Sequence, residues 1–118
     1  MGVTVVNGGF SNREEALALV EEENLFARDG AMPGGELEGD LEGVHWHKTS
    51  LKIYVLEGCF ETKDVASGQL LTAIAGNLIS VPSKTLHAAR CPLPAKYVVG
   101  FESEDAARSF RPEDPSDL

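Results

Sequence analysis

Cysteine is scarce in this chain: two among 118 residues, Cys59 and Cys91. Two distant thiols do not make a disulfide framework, and without CxxC spacing they do not offer a thiolate zinc site. Free thiols in a reducing compartment are the expectation, and with them a cytoplasmic protein. Positive charge is also in short supply. Ten Lys and Arg stand against nineteen Asp and Glu, a formal net charge of −9. A nucleic-acid surface needs clustered cations to displace phosphate counterions, and none are clustered here. An anionic membrane surface is excluded on the same ground. No apolar run approaches the ~20 residues of a membrane-spanning helix, and no signal-peptide pattern opens the sequence. The acidity then reads as solubility.

What the chain does have is an ordinary globular composition, 42% hydrophobic and 25% charged. Its length suits one core rather than two, so residues 1–118 are read as a single domain. Residues 3–6 read as a short strand, broken by Asn7-Gly8-Gly9. Ser11 with Glu14 has the form of a capping box, which predicts a helix from about Asn12 with Ala16, Leu17 and Val20 on its apolar face. The Gly-rich stretch 29–39 reads as loop or irregular edge strand. From residue 44 the pattern changes. The runs 44–48, 51–57, 59–65, 70–75, 78–81, 86–91 and 96–102 are short, apolar and β-branched, with Gly58, Gly76, Pro82 and Pro92-Leu93-Pro94 between them. Regularly spaced short strands with turn signals predict an all-β sandwich or barrel. Ser103 could cap a last helix over 104–110. The tail 111–118, with two prolines and three acids, is expected to be flexible.

The chain's only three histidines are His45, His47 and His87. In a strand, residues i and i+2 share a face, so His45 and His47 should project into the same space. Neutral imidazole is a ligand for Zn, Fe, Ni and Cu. An HxH pair alone is more often incidental than a metal site. The surrounding spacing changes that. Gly39-x5-His45-x-His47-x3-Leu51-x6-Gly58 and Gly76-x5-Pro82-x-Lys84-x2-His87-x3-Cys91 resemble the two motifs of the cupin superfamily, G-x5-HxH-x3,4-E-x6-G and G-x5-PxG-x2-H-x3-N. Leu51, Lys84 and Cys91 depart from the pattern, standing where it has Glu, Gly and Asn. The run from His45 to Gly58, with an apolar residue at the acid's position, is similar to the branch that contains the acetylacetone-cleaving dioxygenase and the cupin half of a zinc-binding anti-sigma factor.

That resemblance implies a small single-domain jelly-roll barrel, its core over about 39–101, with a short N-terminal helix. It implies one divalent metal ion held by His45, His47 and His87, with Fe(II) favoured and Zn or Ni also suited. Three neutral ligands leave the ion its full charge and open positions, which suits a small, anionic, chelating carbonyl substrate. Leu51, Phe60, Cys91 and Phe101 are candidates for the pocket wall, although each also reads as a core residue. Trp46 should point away from the metal by alternation, toward core or a dimer contact. Because family members pair through exposed strand edges, a homodimer is expected.

Overall fold

The computed structural model describes residues 2–32 and 44–118; Gly39 of the first motif lies outside them. Strand β1 (Thr4–Asn7) leads into helix α1 (Arg13–Glu22), followed by β2 (Phe26–Met32), β3 (Leu51–Asp64), β4 (Leu70–Ile74), β5 (Asn77–Val81), β6 (His87–Phe101), the short helix α2 (Glu104–Arg108) and a 3₁₀ turn at Pro115–Asp117. The strands form one antiparallel sheet in the order β1-β5-β3-β6-β2, with β4 beside the second half of β3. No described helix is long and apolar enough to cross a membrane.

The reason for α1 differs slightly from the expected capping box. Asn12 is the cap: its side-chain oxygen accepts the Glu15 N–H at 2.9 Å, while the Glu15 carboxylate takes the Ser11 N–H and hydroxyl. At the far end Asn24 adopts a left-handed φ of 58°. The Leu25 and Asn24 amides bond back to the Val20 and Glu21 carbonyls, both at 3.0 Å, the pattern of a Schellman stop.

Two expected pairs of strands are each one strand. The runs 59–65 and 51–57 join as β3, and 86–91 and 96–102 join as β6. Gly58 therefore does not reverse the chain. It lies in a run of register slips between β3 and β6, with φ of +85°, and a Cβ there would sit 2.0 Å from the Pro94 carbonyl oxygen. A β-bulge absorbs the irregularity and lets the strand bend and continue. Pro92 and Pro94 face the same slips from β6, where a missing N–H disturbs the ladder least. Gly76 does turn the chain, at φ +92° between β4 and β5, and β5 ends at Val81 just before Pro82.

Alternation along β3 and β6 divides the apolar residues between the sheet's two faces. One face carries the larger cluster, including Leu51, Ile53, Val55, Phe60, Cys91 and Phe101. On the other, Tyr54 and Val98 pack with Phe10, Ala16 and Val20 beneath α1. Glycine 30 lies opposite Tyr97, whose ring covers the space a Cβ would need. This architecture, antiparallel β with a short N-terminal helix, is the one the sequence predicts.

Candidate metal centre

The first residue of β6, His87, pairs with Asp64 at the end of β3. On its other side it meets His45 in an isolated bridge: each donates its amide to the other's carbonyl at 2.9 Å. Segment 44–48 is thus not the strand expected from the sequence. His45 and Trp46 make single bridges to His87 and Glu113, and the His47 carbonyl accepts the Lys84 N–H at 2.8 Å. Trp46, between the two ligands, is buried, its indole N–H on the Asp114 carbonyl at 2.8 Å.

The three imidazoles converge. Ring centroids lie 4.4 Å (His45–His87), 4.7 Å (His45–His47) and 5.1 Å (His47–His87) apart. One nitrogen from each falls within 4.8 Å of the others. Three nitrogens each about 2.1 Å from a common ion lie about 3.0–3.6 Å from one another, so the rings would close by roughly 1–2 Å at the widest gap to seat one. Among the described residues no carboxylate or thiolate joins the group. Asp64 is near His87, but its two oxygens are taken by the Val3 and Ala66 amides, both at 3.1 Å.

The rings are also prepared as ligands. His47 Nδ1 lies 2.9 Å from the Arg111 carbonyl and His87 Nδ1 lies 2.8 Å from the Thr85 carbonyl. A carbonyl only accepts, so both Nδ1 atoms carry the proton and both Nε2 lone pairs are left for a metal. Burial holds these rings neutral. It lowers the His47 pKa to about 4, against the opposing pull of the Arg111 carbonyl, and lowers that of His87. The donor set, three imidazoles of which His47 and His87 are held in one tautomer, fits a divalent transition metal.

The other sequence candidates are placed differently. Leu51, Phe60, Cys91 and Phe101 are all buried in the larger apolar cluster. None of them lines the cavity of about 470 Å³ that adjoins His47, whose walls include Lys48, Thr49, Phe110, Arg111 and Glu113. Phe110 links the two regions, 4.5 Å from His47 and 5.3 Å from Phe101 by ring centroids. Cys91 Sγ rests 3.7 Å from Met32 Sδ, and burial pushes its thiol up to about 11, so it stays protonated. Arg90 and Lys52 are ion-paired to Glu61 (2.6 Å) and Glu23 (2.7 Å).

No family model and no curated protein matches this sequence. Solved structures do match. A DUF861 family protein from Thermotoga maritima is 15% identical with a TM-score of 0.52, covering 84% of this chain and 98% of its own. A cupin 2 domain-containing protein from Halorhodospira halophila is 13% identical with a TM-score of 0.52, covering 98% of this chain and 84% of its own. The chain adopts the cupin fold.

Within this fold the motif departures acquire physical meaning. Lys84, where the motif has Gly, holds a left-handed φ of 59°, a conformation that glycine adopts at no steric cost. Leu51 lies within the apolar cluster, opposite Val81 and Phe101, where the motif has an acid. Sequence reading missed the Arg111 and Thr85 carbonyls, because a backbone acceptor leaves no mark on residue type. It also missed Thr62, a buried hydroxyl without a hydrogen-bond partner. Thr62 is opposite Ala89, two residues along β6 from His87. Thr in an alternating strand reads simply as a β-former.

Proposed function

We propose that this cupin is a three-histidine metal protein, loaded with Fe(II), that oxidises or cleaves a small chelating carbonyl compound such as a β-dicarbonyl or hydroxyketone. One observation carries the reading: three convergent imidazoles, two with their Nδ1 protons on backbone carbonyls, and no carboxylate joining them among the described residues. The ion supplies Lewis acidity and a redox partner for dioxygen. His45, His47 and His87 bring no charge of their own, so a cation there keeps its attraction for an anionic chelate. Leu51 stands where the motif has an acid, and with Phe60, Cys91 and Phe101 it belongs to the buried apolar cluster rather than to the cavity beside His47.

A second reading, metal binding without turnover with Zn in place of iron, is favoured by the closeness of Phe110 and the Arg111 carbonyl to His47. Metal analysis of protein purified without added metal tests what both share. About one divalent ion per chain is expected, with His45→Ala and His87→Ala losing it; equal metal in all three proteins contradicts the site. Oxygen uptake by the Fe(II)-loaded chain over a panel of small diketones then separates the two readings: uptake supports the dioxygenase, and bound metal without uptake supports the module.

A further inference from the structure

Free histidine side chains favour the proton on Nε2, the nitrogen this site needs bare. For His87 the opposite tautomer is imposed by a near neighbour, the Thr85 carbonyl two residues before it. For His47 it is imposed from 64 residues away, by the Arg111 carbonyl. That carbonyl is itself held in place. Pro112 follows Arg111, and a residue before proline is confined to extended conformations. Beyond it the chain is fastened to Trp46, the residue between two of the ligands. The Glu113 amide donates to the Trp46 carbonyl at 2.8 Å, the Trp46 amide to the Glu113 carbonyl at 3.4 Å, and the Trp46 indole to the Asp114 carbonyl at 2.8 Å. Phe110, immediately before, lies against the His47 ring.

We infer that residues 110–114 form a positioning strap for the metal centre, with the Arg111 carbonyl as the group that fixes His47 in its ligand tautomer and orientation. The inference deepens the three-histidine reading and rests on it for its metal arm, but not for its tautomer arm. A carbonyl partner of this kind is worth about 10–100-fold in metal affinity when lost. Trp46 has a place in the same device. Its indole pins the strap, so the residue between the two ligands acts on His47 through residues 111–114.

Two variants test this: a chain ending at Phe110, and the milder Trp46→Phe, which keeps a smaller aromatic ring and removes the indole hydrogen bond. Long-range ¹H–¹⁵N NMR on the metal-free proteins reports the tautomer of each ring, and Zn(II) competition against a chelator reports affinity. In the parent, His47 should carry its proton on Nδ1. Truncation should move it toward Nε2 while leaving His87 unchanged, and Zn(II) affinity should fall about tenfold or more. Trp46→Phe should give a smaller change in the same direction. A His47 tautomer unchanged by truncation overturns the strap, whatever the affinity does. So does an affinity within twofold of the parent. If the parent binds no Zn(II), the three-histidine reading fails, and the shift of His47 alone, with His87 constant, still upholds the strap. A truncated chain that fails to fold hands the decision to Trp46→Phe, where a His47 signal identical to the parent's is the overturning result.

Discussion

His47 carries most of the electrostatic information in the site. The residue is 5% exposed and its pKa is lowered to about 4, chiefly by burial, whereas in the unfolded chain it titrates near 6.5. The folded state therefore binds fewer protons than the unfolded one at every pH between those values. Stability is unaffected above about pH 7, falls as pH drops below 6.5, and levels off once His47 protonates near 4. At pH 5 the loss from this residue is on the order of 2 kcal/mol, at 1.36 kcal/mol per unit over about 1.5 units. His87, shifted in the same direction, adds to it. The measurement is the melting temperature of metal-free protein from pH 7.5 to 4.5. A decline through this range that is shallower in His47→Gln is expected. A flat profile down to pH 5 would contradict the burial of these rings. Bound metal should steepen the decline, since protons and metal compete for the same lone pairs.

At the level of elements, legibility tracked whether a residue's role depends on its side chain or on its backbone. The histidines were legible because imidazole chemistry and motif spacing are written in residue type. The helix start was legible to within one residue because Ser11, Asn12 and Glu15 can trade capping roles. The continuity of β3 and β6 was not. Gly58, Pro92 and Pro94 signal a break in any single strand, and only the facing strand, with its matching slips of register, converts the break into a bulge. The helix stop at Asn24 and the turn at Lys84 escaped notice because neither is glycine, although both adopt positive φ. Lys84 provides a test. A left-handed non-glycine residue costs about 1 kcal/mol or more, partly offset by the greater entropy glycine loses on folding. Lys84→Gly should therefore raise stability by up to about 1 kcal/mol in chemical denaturation, with the Lys84 amide still on the His47 carbonyl. A destabilised variant would mean that the lysine side chain contributes more than its backbone strain costs.

For the whole molecule, assembly is the open scale. Strand β1 pairs only with β5 among the described residues, and it carries Val6, 52% exposed. Ile74 on β4 and Leu93 on β6 are similarly bare. Exposed edges with apolar side chains favour pairing with a second copy. We expect light scattering at micromolar concentration to give twice the 12.6 kDa chain mass; a monomer mass would refute it. The sheet itself has another consequence. Because β3 and β6 send Val55 and Tyr97 to one face and Tyr54 and Val98 to the other, it works as a partition between two packed compartments. Only the first holds Leu51 and Phe101. As the sequence drifts, a volume lost on one side can be made good by neighbours on that side and by nothing across the partition. Descendants of this chain should thus change Tyr54 in concert with Phe10 and Val98 while leaving Val55 and Tyr97 as they were.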